Sequence, residues 1–362
     1  MKLAFGVWLV GGSIEIMPVG NNASFSQQKL LLYVAVSALA IITLSLLYSY
    51  QESSTDLAIG WRNSFFISSL QGSSKNKQTT KPCEKVFDDM FASLISTYRQ
   101  CVLENLDQKS KWTDLHVAIT ACLGGALWKI LDVKFLYNSD DVKLLVMPSL
   151  IDSQIPLANA TAESTGFDCV EVTLGVGNDI ESERRLRELI PFCRFYGADP
   201  IASSGTIFTE VGLYYETAVG SKGGSFVASV LENGYYHDKT VPTISLSDFL
   251  NDYVKVDHVD YLFMDNEGAE YAIFEQLQPG GALENITICQ ISVEMHGPLH
   301  LHHMEAKYDD LVTTTINNTS YLPFWSAAPV NHVRTYYINV KDNYCVETFF
   351  RKKFCSRYAG GL

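Results

Sequence analysis

Apolar and polar positions alternate with different periods in different parts of the chain. Residues 30–48, LLLYVAVSALAIITLSLLY, form an uncharged apolar run. As a helix this run would span about 28 Å, the thickness of a bilayer core. It predicts one transmembrane helix. The preceding residues 1–29 read as a short tail, although the patch at 3–10 also has the composition of a signal-peptide core. Residues 49–82 turn to Ser, Thr, Gln, Asn, Gly and Lys, the composition of a flexible stem. Val86, Phe87, Met90, Phe91, Leu94, Ile95 and Tyr98 then recur at helical spacing, and residues 113–132 continue that way despite Gly124 and Gly125. Residues 83–150 are therefore predicted as a helical cap.

Downstream, over 151–362, the pattern changes to short strand-like runs separated by helical ones. That alternation predicts βαβ units and a parallel sheet. Strands are expected at 169–174, 194–199, 212–219, 259–264 and 286–293, with a closing antiparallel pair near 321–326 and 333–340. Helices are expected at 181–189 and 271–277. The run Val259-Asp260-Tyr261-Leu262-Phe263-Met264 ends abruptly in Asp265, Glu267 and Glu270. A buried strand thus delivers carboxylates to its C-terminal edge, where open α/β sheets bind ligands.

Composition narrows the function classes. The chain is 47% hydrophobic and 19% charged with a formal net charge of −13, which is globular and argues against a nucleic-acid backbone as partner. Eight cysteines show no CxxC or finger spacing, so a structural zinc site is not expected. Lys2 and Lys29 on one side of the apolar run, against Arg62 with Glu52 and Asp56 on the other, favour a short cytoplasmic tail. That type II orientation puts the remainder in the lumen of the endoplasmic reticulum and Golgi, where the cysteines become disulfide partners. The glycosylation acceptors Asn159, Asn285, Asn317 and Asn318 also become usable there, whereas Asn22 does not.

Two groups of residues carry candidate chemistry. Gly175-Val176-Gly177 follows a strand, and Asp199 ends the next one 24 residues beyond Gly175. Glycines let a ligand approach backbone amides, and a terminal acid accepts hydrogen bonds from ribose hydroxyls. Asp179 stands where a dinucleotide fingerprint has its third glycine, so a pyrophosphate is disfavoured. S-adenosyl-L-methionine, a nucleoside with a sulfonium cation and no phosphate, fits better. The second group is Asp265, Glu267, Glu294 and His296, all expected at strand ends on one edge of the sheet. His296 is the preferred general base, because an imidazole titrates near neutral pH. A divalent metal such as Mg²⁺ or Mn²⁺ on Asp265, Glu267 and Glu294 is the rival. His300, His302 and His303 lie in a loop opened by Gly297-Pro298 and are read as facing substrate rather than holding a metal.

The segments 172–179 (VTLGVGND), 195–200 (FYGADP), 218–220 (AVG), 260–270 and 290–296 (QISVEMH) together resemble the FkbM-type methyltransferases in their membrane-anchored nematode form. The likeness covers about 165–340, and Asp265-Asn266-Glu267-Gly268-Ala269-Glu270 is its most specific mark. It implies an α/β, Rossmann-like, seven-stranded class I methyltransferase fold using S-adenosylmethionine for O-methylation. It further implies that Gly175, Gly177 and Asn178 form the cofactor turn, that Asp199 holds the ribose, and that Asp265 sits at the fourth strand beside the transferred methyl. Thr173 departs from the family's acid at that position.

The expected function is methylation of a glycan, lipid or small metabolite by a glycoprotein anchored through one helix. Two alternatives stand beside it. One is a non-catalytic methyltransferase-like binding protein, which Thr173 and Asp179 favour. The other is a luminal glycosyltransferase, whose paired metal-binding acids Asp265 and Glu267 loosely imitate.

Overall fold

The computed structural model describes residues 4–10, 13–19, 83–106, 111–139, 141–149, 160–232, 235–297, 304–328 and 332–359. The predicted transmembrane run 30–48, the stem, Asn22, Asn159 and the histidines at 300, 302 and 303 lie outside them. Among the described residues no helix is long and apolar enough to cross a membrane. The chain divides into two compact units, 1–76 and 77–362. In the first, β1 (Ala4–Val10) and β2 (Ser13–Val19) pair as an antiparallel hairpin. An extended strand therefore occupies the patch that resembles a signal-peptide core.

The second unit opens with α1 (Cys83–Leu106) and α2 (Lys111–Ile130), as their apolar spacing predicts. The rest of the predicted helical cap is different. β3 (Val133–Tyr137) and β4 (Val142–Val146) form an antiparallel hairpin, because VKLLV is a short β-branched and leucine run that is nearly all buried. The hairpin is held to the sheet through Gln290, whose Oε1 accepts from the Val146 amide at 2.7 Å and whose Nε2 donates to the Val146 carbonyl at 3.1 Å.

The alternating region follows in order: β5 (Val170–Leu174), α3 (Glu181–Leu189), β6 (Arg194–Asp199), α4 (Ala202–Phe208), β7 (Leu213–Glu216), β8 (Ala218–Gly220), β9 (Gly224–Glu232), β10 (Tyr235–Ser245), β11 (His258–Met264), α5 (Glu270–Gln276), β12 (Thr287–His296), α6 (Met304–Asn318), β13 (Tyr321–Ala327), β14 (His332–Asn339) and a final α7 (Lys352–Ala359). Seven strands make one sheet in the order β13-β14-β12-β11-β5-β6-β7. Its pairs are parallel from β12 to β7, and only β14 runs antiparallel to its neighbours.

The strand expected at 212–219 splits. β7 stays at the sheet edge, while β8 leaves it to pair with β10 in a second, three-stranded sheet. The β9–β10 hairpin of this sheet, GSFVASVLE and YYHDKTVPTIS, lacks a sustained period-two apolar alternation and is not among the expected strands. Every residue of β5 is buried, and so are all but the first of β11. At roughly 1.5–3 kcal/mol for each large apolar side chain removed from water, these two central strands anchor the fold. α1 and α2 pack beside β13, where the tilted rings of Tyr98 and Phe324 have centroids 5.3 Å apart.

All eight cysteines pair, as Cys83–Cys355, Cys101–Cys122, Cys169–Cys193 and Cys289–Cys345. The first ties α1 to α7 and the second staples α1 to α2. Replacing Cys83 and Cys355 together by Ser removes the closure between the two ends of the unit, and unfolding free energy should fall by about 2–5 kcal/mol in denaturant titrations. Unchanged stability would show that the two helices are held by packing alone.

Candidate active site

The C-terminal tips of β5, β6 and β11 meet. The Asp265 amide donates to the Leu174 carbonyl at 2.9 Å, and the Gly175 amide donates to the Ala198 carbonyl at 2.9 Å. Gly175 has φ +77°, and a Cβ placed on it would lie 1.7 Å from the Asp265 carbonyl oxygen. Only glycine lets the two tips touch. Gly177 needs glycine for a different reason, φ +60° in open space. Its amide donates to Asp199 Oδ2 at 3.0 Å, and the Ile201 amide donates to Asp199 Oδ1 at 2.8 Å. Burial raises the Asp199 carboxyl above the usual carboxylate range, and these amides pull it partly back.

A cavity of about 300 Å³ opens here, lined by Gly175, Gly177 and Asp199 on one side and Asp265 and Glu267 on the other. The β8–β10 sheet closes it with residues 218–223, Ser225 and Thr243. Asn178 is exposed beside the turn and does not line the cavity.

Asp179 and Thr173, the two departures from motif, have local explanations. Asp179 Oδ1 accepts from the Glu181 amide at 2.9 Å and Oδ2 from the Ser139 amide at 2.7 Å. Its charge thus caps α3 and clamps the β3–β4 hairpin, away from the cavity. Thr173 Oγ1 lies 2.6 Å from Glu171 Oε1 and 2.8 Å from Glu183 Oε1, all buried, with Lys143 Nζ 3.5 Å from Glu183. Burial and the neighbouring Glu183 push the Glu171 carboxyl above the usual carboxylate range. α3 therefore supplies through Glu183 a carboxylate beside position 173.

The turn after β11 is strained and deliberately held. Glu267 has φ +51°, a left-handed conformation that costs about 1–3 kcal/mol in a non-glycine residue. Glu270, fully buried, offsets that cost. Its Oε1 accepts from the Asn266 amide at 2.7 Å, and its Oε2 accepts from the Gly268 amide at 2.8 Å. Asn266 Nδ2 donates to the Val219 carbonyl at 2.8 Å, linking the turn to β8. Asp260, at the opposite end of β11, accepts from the Val170 amide at 2.8 Å and from the Tyr344 hydroxyl at 3.1 Å, and does not line the cavity.

His296, at the end of β12, faces this turn. Its Nδ1 stands 3.1 Å from Glu270 Oε1, and that carboxylate assigns the proton to Nδ1. Its Nε2 stands 3.2 Å from Glu267 Oε2, 3.6 Å from Asp265 Oδ1 and 3.9 Å from Glu294 Oε1. Burial alone would lower the imidazole's pKa, but Glu270, Asp265 and Glu267 outweigh it and push it up to about 10. The Asp265 carboxyl is raised by burial and then by Glu294.

Glu294 is differently engaged. Arg334 Nε lies 2.7 Å from its Oε2 and His332 Nδ1 lies 3.3 Å from its Oε1. The antiparallel register places Glu294 directly opposite Arg334. So of the four expected catalytic residues, Asp265, Glu267 and His296 converge with side chains facing one point, while Glu294 is neutralised behind them. Sequence reasoning did not assign Glu270 or Arg334 a role. Glu270 stood in plain view within the acidic motif, but its partners are amides that only the folded turn presents.

The family model of the Methyltransferase FkbM domain matches residues 125–310, just over half of the chain. The chain belongs to the FkbM methyltransferase family. The match takes in the five segments that carry the resemblance, 172–179, 195–200, 218–220, 260–270 and 290–296, and also the β3–β4 hairpin, and ends at 310, short of the expected reach to about 340. No curated protein matches the chain. Among solved structures, M. capricolum TrmK in complex with the natural cofactor product S-adenosyl-homocysteine aligns at 12% identity and a TM-score of 0.25 over 48% of this chain and 63% of that one. A likeness that shallow carries no weight.

Alanine at the two turn glycines should separate contact from conformation. Gly175→Ala forces the strand tips apart and should cost roughly 2–4 kcal/mol of stability, whereas Gly177→Ala should cost only about 1 kcal/mol for its φ. Equal losses in urea unfolding would contradict the close approach of Gly175 to Asp265.

Proposed function

We propose that the chain is an S-adenosylmethionine-dependent O-methyltransferase acting in the secretory lumen on a glycan, lipid or small metabolite. One observation carries this reading: the single cavity that joins Asp199 to Asp265 also joins the two chemistries that methyl transfer needs. Asp199 would accept from the ribose hydroxyls, with the glycine turn against the amino-acid part. Carboxylates near the far end suit a sulfonium cation. The family membership supports the same cofactor.

Methyl transfer is an in-line displacement. The acceptor oxygen attacks the methyl carbon, the sulfur–methyl bond breaks, and the sulfonium leaves as a neutral thioether. Orientation supplies much of the rate. The acceptor hydroxyl must lose its proton, and the Asp265 and Glu267 carboxylates offer a proton acceptor beside the cavity in place of the expected base His296, whose imidazole the surrounding acids hold protonated. The rival reading, a divalent metal, would draw its ligands from the same edge.

Thr173 and Asp179 no longer favour a non-catalytic copy, because both are used in holding α3 and the hairpin. The luminal placement is supported by the apolar run at 30–48, by four disulfides, and by Asn285, Asn317 and Asn318, all exposed. Anchoring through one helix and the choice of acceptor belong to the same proposal.

Thermal unfolding of the full-length protein tests it. S-adenosylhomocysteine at 100 times its dissociation constant should stabilise by about 2.7 kcal/mol and raise the midpoint by a few degrees. Asp199→Asn should abolish most of that shift, and a nucleotide sugar with Mn²⁺ should produce none. A shift with the nucleotide sugar alone would instead support a glycosyltransferase.

A further inference from the structure

The acceptor edge holds more negative charge than its neighbours compensate. Glu270 is satisfied by two backbone amides and His296 Nδ1, and Glu294 by Arg334 and His332. Asp265 and Glu267 share one imidazole between them. Asp265 Oδ1 is occluded from solvent and has no hydrogen-bond partner among the described residues. His296 is 8% exposed, and its Nε2 is aimed at that oxygen and at Glu267 Oε2. A buried imidazole nitrogen and an occluded carboxylate oxygen thus address the same point, and a second carboxylate joins them.

We propose that Asp265, Glu267 and His296 Nε2 form one face of a divalent cation site, with Mn²⁺ the ion that best fits the donor set. One ligand atom from each residue lies within 4.8 Å of the others. Adjacent ligands of an octahedral ion with bonds of about 2.2 Å stand about 3.1 Å apart. The observed separations from Nε2, 3.2 and 3.6 Å, need only small adjustments to enclose such an ion. Two carboxylates select a hard cation, and the imidazole nitrogen shifts the preference from Mg²⁺ or Ca²⁺ toward Mn²⁺.

Glu270 completes the site from behind. A carboxylate that accepts the Nδ1–H is the usual outer partner of a metal-bound histidine, and it leaves Nε2 to coordinate once the arriving ion displaces the proton there. The ligand set also differs from the one expected on sequence grounds, where Glu294 stood third. Arg334 occupies Glu294, and His296 takes its place. Asp265 and Glu267 line the cofactor cavity as well, so the three donors leave the cavity side of the ion open. Only the ion's role rests on the methyltransferase reading: a bound acceptor hydroxyl would be acidified next to the methyl donor. The site itself stands on the donor geometry.

Titration of the full-length protein, stripped with EDTA, with MnCl₂ tests the site through loss of the free-ion electron paramagnetic resonance signal. One Mn²⁺ per chain is expected. Glu267→Gln should weaken binding at least about tenfold by removing a ligand charge, and Glu270→Gln by about 10–100-fold although it touches no ion. Intact disulfides in non-reducing peptide maps and an unchanged urea midpoint identify the variants that are folded. No Mn²⁺ binding by the parent protein, or equal binding by the parent and a folded Glu267→Gln, overturns the proposal. Stabilisation by S-adenosylhomocysteine, measured on the same metal-free protein, reads the cofactor pocket separately. Such a shift without Mn²⁺ binding overturns the metal site alone. Mn²⁺ binding without that shift upholds the site and overturns the cofactor reading.

Discussion

The buried carboxylate of Glu270 is the interaction on which the rest of the site depends. It bonds two amides of a turn that contains a left-handed Glu267, and it fixes one nitrogen of His296 on the neighbouring strand. A charged acceptor inside a low-dielectric interior makes strong hydrogen bonds when it is fully satisfied. The turn therefore holds a shape that its backbone would not keep alone. From that shape follow the direction of Glu267, the placement of Asp265 above the glycine turn, and the direction of His296 Nε2.

Charge pairing extends from this point across the sheet. Glu294 is neutralised by Arg334, whose Nε also lies 2.7 Å from Asp141 at the start of β4. Along the same hairpin, Lys143 reaches Glu183 beneath the cofactor turn, and the Ser139 amide donates to Asp179 at the start of α3. The β3–β4 hairpin thus touches both the cofactor turn and the acidic edge. Breaking one member of a buried ion pair leaves a charge stranded, which costs far more than the pair itself contributes. This is why a segment outside the sheet is integral to the domain.

Much of this architecture was legible in the chain. The period-two and apolar runs of β5, β6, β11 and β12 and the helix at Glu181–Leu189 stand out because buried strands and amphipathic helices have distinct periods. Gly175, Gly177, Asp199 and Asp265 could be named because turn chemistry and strand-end acids are local signals, and all four line one cavity. The β3–β4 hairpin was hidden inside a helical pattern of similar hydrophobicity. The departure of β8 from the main sheet was hidden because which sheet a strand joins is decided by pairing, not composition. The pairing of Glu294 with Arg334 depends on the register between β12 and β14, separated by α6 and β13. The disulfide partners were equally unreadable, since they depend on contacts up to 272 residues apart in sequence.

The central claim is that the cavity between Asp199 and Asp265 holds the methyl donor against the Glu270-ordered edge. A crystal structure of the protein with S-adenosylhomocysteine tests it most directly. The account predicts ribose hydroxyls within hydrogen-bond distance of Asp199 and a sulfur atom facing Asp265, Glu267 and His296. A ligand bound elsewhere, or one lying in the cavity with its sulfur turned away from that edge, would contradict it.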